Sequence, residues 1–283
     1  MHGKILLAAG AALALGDAAA QVPPRIDWNA PFPAHRIIDN VYFVGTEALG
    51  SFLITTPEGH ILINSDFEST VPAIRRSVED LGFDFADIAI VLGSHAHADH
   101  MEADALIKEL TGAQVMAMAE DVPLLRAMRP GGKEHPVDRV LHDGDEVTLG
   151  GETLIAYRTP GHTPGCTSWG LEVEENGRTY DVLIVCSFGV NDNYRLVGNA
   201  DYPEIADDYR ATFAKARTLP VDVFLGSHGF FYGLAEKHAR LASRKPGDSN
   251  PFVDRAGYLD HVAAQERRFL GMLEAQQRAA GAE

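Results

Sequence analysis

Apolar and polar positions change period several times along this chain, and each change marks an element. Residues 40–44, 50–55 and 60–64 are short apolar-rich runs. Turn residues at 45–49 and 56–59 separate them, which predicts three strands. Residues 71–81 carry apolar side chains at helical spacing behind Ser69 and Thr70, which offer an N-cap, and Gly82 ends the helix. Residues 88–92 are continuously apolar, the mark of a strand buried on both faces. A helix over 101–110, stopped at Thr111-Gly112, and a strand over 113–118 complete a βαβ unit.

The second half repeats the theme. A short helix is expected near 123–128, then a surface loop over 129–136 carrying Gly131-Gly132. Strands over 146–149 and 153–159 turn at Gly150-Gly151, and strands over 167–173 and 180–185 turn at Glu175-Asn176-Gly177. After a loop at 191–201 come a helix over 206–217 and a fully apolar strand over 221–225. Helices over 234–243 and 257–279, joined by a loop at 245–251, close the chain. Strand-rich stretches followed by helix occur once in each half, and no low-complexity linker interrupts 21–283. The expectation is one α/β domain of two similar halves, packed sheet to sheet with helices outside.

Composition adds limits. A hydrophobic share of 46% suits an ordinary globular core. The formal charge of −16 argues against nucleic acid and anionic membrane surfaces as partners, and suits a protein that holds cations. Residues 1–20 read as a secretory signal: Lys4, an apolar run over 5–15, and Ala18-Ala19-Ala20 before Gln21. That run is too short and too rich in Ala and Gly for a membrane span. Export to the periplasm, or secretion, is therefore expected, with 21–283 as the mature domain. Residues 21–33 are Pro-rich and irregular, with Trp28 and Phe32 available to pack. The two cysteines are Cys166 and Cys186. In an exported protein a disulfide is the default; it would close a loop of 186 − 166 = 20 residues and contribute roughly 3 kcal/mol. The alternative is that one or both are thiolate metal ligands.

The strand at 88–92 delivers the chain into Ser94-His95-Ala96-His97-Ala98-Asp99-His100, at the carboxyl end of a strand, where open α/β sheets bind their ligands. His95, His97 and Asp99 step by two, which puts all three on one face of an extended segment. His100 breaks the alternation and points elsewhere. One ion cannot comfortably take four ligands from so short a segment, so the spacing suggests two adjacent ions. Imidazole with carboxylate favours zinc or another first-row metal. A lone histidine in a polar loop is usually just solvated; three in six residues with an interleaved Asp, directly after a buried strand, are not. Two further histidines are the best candidates from context: His162, in a Pro/Gly-bracketed turn after a strand, and His228, which repeats the Gly-Ser-His context of His95. His238 and His261 sit among charged residues on predicted helices and read as solvated. His35, His60, His135 and His142 lie in polar surroundings away from strand ends and read as bystanders.

With these residues in view, the chain resembles the metallo-β-lactamase superfamily. His95-Ala96-His97-Ala98-Asp99-His100 fits its H-x-H-x-D-H signature, Pro160-Gly161-His162-Thr163-Pro164-Gly165 its second histidine turn, and Gly226-Ser227-His228 its last. The resemblance runs from about residue 37 past His238 and is nearest to class B, subclass 3 β-lactamases. That narrower likeness rests on Asp99 and His100 with His228, on the stretch from Pro164 to Trp169, on Cys186-Ser187, and on the stretch from Asp207 to Phe213. It implies a four-layer αβ/βα sandwich with the metal site at one edge of the paired sheets. It implies two Zn2+ per chain, the first held by His95, His97 and His162 and the second by Asp99, His100 and His228. It pairs Cys166 with Cys186 and places Ser187 against the substrate carboxylate. Three positions depart from the family's habit: Met101-Glu102 where two small residues are usual, Asn64 where Asp is common, and Gly189 where a second Ser is common.

Two ions with three protein ligands each keep open coordination positions, as catalytic zinc does. The resemblance therefore implies hydrolysis of the β-lactam amide bond by a metal-bound hydroxide, with Asp99 orienting it and passing a proton, in a monomer conferring antibiotic resistance. No serine or cysteine nucleophile is needed, and no triad is evident. The loops around Gly131 and Phe230-Phe231 would set substrate preference. Rivals are a glyoxalase II-like thioesterase or a lactonase of the same fold, and a non-catalytic zinc-binding protein. The first two usually carry an Asp bridging both metals at the end of the strand after the second histidine turn. Here that strand runs into Cys186-Ser187, with no carboxylate before Asp192.

Overall fold

A computed structural model describes residues 27–282. The proposed signal and its cleavage point lie outside the described residues. Two sheets form the centre. The first has seven strands in sequence order: β1 His35–Ile38, β2 Val41–Phe43, β3 Phe52–Thr56, β4 Gly59–Ile63, β5 Ile88–Leu92, β6 Gln114–Met118 and β7 Arg139–Leu141. It is antiparallel from β1 to β4 and parallel from β4 to β7. The second runs β12-β11-β10-β9-β8, with β8 Glu146–Leu149, β9 Glu152–Arg158, β10 Thr167–Glu175, β11 Arg178–Val185 and β12 Val223–Gly226. Only its β11–β12 pair is parallel.

The period of two in the strands decides what each face meets. Phe52, Ile54, Ile61, Ile63, Ile90 and Leu92 point into the core shared with Leu154, Trp169, Leu171 and Ile184 of the second sheet. The intervening Leu53, Leu62 and Val91 face the opposite way. There they meet helix α1 (Val71–Asp80) through Ile74 and Val78, and Ile107 of α3 (Asp104–Thr111), which follows the single turn α2 (Ala98–Met101). Beyond α4 (Val122–Met128), the second sheet is covered by α5 (Ile205–Ala216) and α7 (Arg255–Ala280), with Tyr209, Phe213, Tyr258, Val262 and Phe269 buried; α6 (Leu234–Ala242) lies between them in sequence. The result is the αβ/βα layering expected of the family.

Several expectations are refined. The helix expected over 101–110 is broken, because Ala103 N–H donates to Asp66 O (3.0 Å) instead of continuing the turn. The edge strands β1 and β7 are too short and too mixed in polarity to stand out in the sequence. The turn at Asn176-Gly177 holds: both residues take positive φ (55° and 74°), as a tight two-residue hairpin requires.

Where the sheets meet, Gly50 N–H donates to Ser227 O (2.8 Å), and Leu49 bridges His228. A Cβ on Gly50 would collide with Gly226 O, so this close crossing of backbones needs glycine. It brings the end of β12 to the segment leading into β3, whose Gly50 O is held in turn by Asn64 just after β4. α7 holds the segment after β11 in place: Arg268 Nε donates to Val190 O (3.1 Å), its Nη2 pairs with Asp192 (2.7 Å), and Gln276 bonds both Leu196 N (2.7 Å) and Tyr194 O (2.8 Å).

Candidate metal centre

Strand β5 ends at Leu92, and the next residues are tied down before the first histidine. Asn64, at φ +64°, accepts from Ser94 N–H (2.9 Å) and donates to Gly50 O (2.8 Å). A carboxylate in its place could not make the second bond, which explains why Asn is suitable in this chain. A Cβ on Gly93 would strike the Met101 side chain. Met101 itself is buried with Ala96, Ala117, Val122 and Leu125, so its bulk fills the layer under the loop rather than the site.

From this base six residues converge. The ligand atoms of His95, His97 and His162 lie within 4.8 Å of one another, and so do those of His95, Asp99 and His100. His100 Nε2 stands 3.3 Å from both Asp99 Oδ2 and His228 Nε2, and His228 Nε2 stands 3.7 Å from Asp99 Oδ2. Two abutting three-residue sets result, His95–His97–His162 and Asp99–His100–His228.

The outer shell fixes which nitrogen each ring presents. His162 Nδ1 lies 2.8 Å from Gly189 O, so it carries the proton and leaves the Nε2 lone pair free. His228 Nδ1 does the same against Ala48 O (3.2 Å). Gly189 O is held in turn by Tyr209 Oη (2.7 Å), and Tyr194 Oη donates to His162 O (2.8 Å). Burial, reinforced by neighbouring imidazoles, holds His95 and His100 well below the ordinary histidine pKa and brings His162 and His228 down to about 3. Burial also lowers His97, against the pull of Asp99 and Asp121. All five are neutral imidazoles near pH 7, and His95 Nε2 and His100 Nδ1 are buried with no hydrogen-bond partner. Neutral nitrogen donors clustered around one carboxylate fit a first-row metal cation.

The sequence gives no hint of Asp121, yet it joins the two histidine segments. It accepts from Ala96 N–H (2.9 Å), Thr163 Oγ1 (2.7 Å) and Gly165 N–H (2.6 Å). A Cβ on Gly165 would collide with it, so glycine is required there. Asp66 is a second such residue. It is fully buried at φ +58°, it accepts from Ser51 Oγ (2.7 Å), and its own N–H donates to His100 O (3.2 Å). Burial pushes its carboxyl well above the usual range.

Cys166 and Cys186 are joined in a disulfide with Cα atoms 5.9 Å apart, so the thiolate-ligand alternative is set aside. Cys186 Sγ packs 3.5 Å from His95 Nδ1, behind the centre. Ser187 follows, 2% exposed, its Oγ accepting from Gly189 N–H (3.3 Å). Asp192 is 96% exposed and ion-paired to Arg268, away from the six residues.

The bystander histidines stay outside the centre, but several are not solvated. His261 is enclosed by Phe188, Phe224 and Phe231, its Nε2 has no partner, and burial lowers its pKa to about 4. His238 is half-buried against His35 and Phe32. His35, His60 and His135 are buried, whereas His142 is exposed. His135 sets Nε2 against Met101 O (3.0 Å) and Asp104 Oδ2 (3.1 Å) and Nδ1 against Pro136 O (3.0 Å). Burial opposes its charging, but these acceptors outweigh it and hold its pKa above the ordinary value.

A cluster of neutral histidines and one carboxylate at the rim of two stacked sheets defines a candidate metal-binding site. The model of the metallo-beta-lactamase superfamily matches residues 51–228, more than half of the chain, and the chain belongs to that family. Among solved structures it is similar to the native FEZ-1 metallo-beta-lactamase from Legionella gormanii: 42% identity, 89% of this chain and 99% of that one, TM-score 0.84. It is also similar to BJP-1, a subclass B3 metallo-beta-lactamase of Bradyrhizobium japonicum: 40% identity, 89% and 98%, TM-score 0.82. Curated relatives are more distant. A hydroxyacylglutathione hydrolase of Fuscovulum blasticum is 36% identical over 180 residues, 62% of this chain and 61% of its own length. The human mitochondrial persulfide dioxygenase ETHE1 is 25% identical over 256 residues, 88% and 90%.

Proposed function

We propose that this protein is a zinc-dependent β-lactamase of subclass B3 type that opens the β-lactam amide of penicillins, cephalosporins and carbapenems. In this reading His95, His97 and His162 hold one ion, and Asp99, His100 and His228 hold a second. What supports it over a thioesterase or lactonase is the end of β11. The chain there enters a disulfide at Cys186 and then Ser187, and the next carboxylate, Asp192, is turned outward onto Arg268. No acid stands where the rival enzymes carry their bridging Asp. The likeness to solved β-lactamases across nearly their whole length points the same way.

Bound zinc supplies a Lewis acid and lowers the pKa of a coordinated water to about 7. The chain does the rest. The neutral imidazoles offer lone pairs without competing protons. Asp99 is the one carboxylate in the centre and keeps part of its surface exposed, so it can orient an attacking water and carry a proton. The Ser187 hydroxyl accepts from Gly189 and retains its own proton to donate to the substrate carboxylate. The sandwich excludes water from the ligands' far sides. An exported monomer, cleaved after residue 20 and conferring antibiotic resistance in the periplasm, completes the reading.

Ring opening of a carbapenem, followed by loss of its ultraviolet absorbance with and without a chelator, tests the proposal. Zinc-dependent turnover is expected, with little hydrolysis of hydroxyacyl-glutathione. Efficient thioester hydrolysis without ring opening of any β-lactam overturns it.

A further inference from the structure

A groove of about 440 Å³ runs along loop 191–203, within the range of small-molecule sites. His97 and His162 form its inner border, and none of Asp99, His100 and His228 lines it. Leu124, Pro164, Tyr194 and Tyr202 supply apolar walls. The covalent structure of a β-lactam gives this position a meaning. The carbonyl carbon is bonded to the ring nitrogen on one side and to the carbon bearing the acyl side chain on the other. With nitrogen toward Asp99, His100 and His228, the groove beside His97 and His162 lies open to the side chain.

Arg195 is the groove's only cation. Its Nε donates to Val197 O (3.0 Å), and Asn199 Nδ2 donates to Arg195 O (3.0 Å), so its stem and backbone are both tethered. It pairs with no carboxylate among the described residues, although the chain carries a net charge of −16. Asp201 also lines the groove, but it is exposed and no hydrogen bond fixes its carboxylate among the described residues, so solvent screens it. We propose that the groove receives the acyl side chain of the substrate and that Arg195 selects side chains ending in an anion. This inference rests on the β-lactam reading above.

Three penicillins that share a nucleus and a phenyl side chain, and differ only in bearing carboxylate, hydrogen or ammonium on the side chain's α carbon, test it. For the zinc-loaded wild type, kcat/KM should fall in that order, with at least a fivefold spread between the ends, carried mainly by KM. Added salt should narrow the spread. Arg195→Ala should compress it to under twofold, Arg195→Glu should reverse the order, and Asp201→Asn should widen the spread. A wild type that opens all three without regard to side-chain charge, or a spread untouched by Arg195→Ala in a variant with native circular dichroism, overturns the inference and leaves the β-lactam reading standing. Failure of the loaded wild type on all three penicillins overturns the inference, and failure on a carbapenem measured beside them overturns the β-lactam reading as well.

Discussion

Replacing Asn64 with Asp is expected to damage this chain, and more so as pH rises. Asn64 is fully buried, accepts from Ser94 N–H at 2.9 Å and donates to Gly50 O at 2.8 Å. An ionised Asp keeps the first bond but turns an oxygen toward Gly50 O. Losing that bond and burying a charge against an acceptor costs about 3 kcal/mol. A protonated Asp can donate to Gly50 O and mimic the amide, so the cost falls only on the charged form. At 1.36 kcal/mol per pK unit, the folded-state pKa should rise by about two units, from roughly 3.9 to about 6. A folded pKa raised above the unfolded one contributes stability at low pH that is lost as pH rises through the folded value. Relative to the parent, Asn64→Asp should thus be nearly neutral at pH 4, about 1.5 kcal/mol worse at pH 5, and about 3 kcal/mol worse above pH 6.5. Urea denaturation of both metal-free proteins at each pH measures the difference. A deficit constant across the range, or a variant more stable than the parent at pH 7.5, refutes the reasoning.

Metal-replete protein should contain two zinc ions by elemental analysis, and His228→Ala should lose one while retaining the set around His95; a single ion in the parent contradicts the two-site reading. Thiol titration of denatured, unreduced protein should find no free cysteine, and Cys186→Ser should keep its metal. His261→Phe removes a buried ring whose pKa is lowered to about 4. A depressed histidine costs stability as pH falls below its unfolded value near 6.5, so this variant should gain up to about 2 kcal/mol on the wild type at pH 5 and little at pH 8; equal acid sensitivity of the two speaks against the aromatic enclosure. Ser187→Ala should raise KM for β-lactams by roughly tenfold, the worth of one hydrogen bond to a charged group, with metal content unchanged; lost metal would reassign the residue to support of the centre.

The candidate metal centre was legible because its residues sit at strand ends. Gly-Ser-His after an apolar strand is a local pattern, and it occurs before both His95 and His228. The α/β class followed from periodicity for the same reason: the buried strands are continuous in sequence. What stayed hidden depends on contacts distant along the chain. Asp121 looks like an ordinary residue before a helix, and only the folded chain sets it against Ala96, Thr163 and Gly165. Asn64 reads as a departure until Gly50 and Ser94 appear on either side of it. His261 misleads because Asp260 and Glu266 share its helix, whereas its ring lies beside the buried Tyr258 and Val262 and turns inward with them. The strands β1 and β7 lie at the two edges of the seven-stranded sheet, where one side of pairing suffices and the hydrophobic signal is weak.

The grip of α7 on the segment after β11 also sets an order of events. His162 is oriented by Gly189 O and Tyr194, and the stretch that carries them is held by Arg268 and Gln276, close to the C-terminus. A nascent chain therefore carries its histidines long before it owns the part that aims them. Native geometry at the candidate centre therefore waits on residues 268–276, and a product cut short before residue 268 would carry all six candidate ligands without the helix that holds the segment orienting His162.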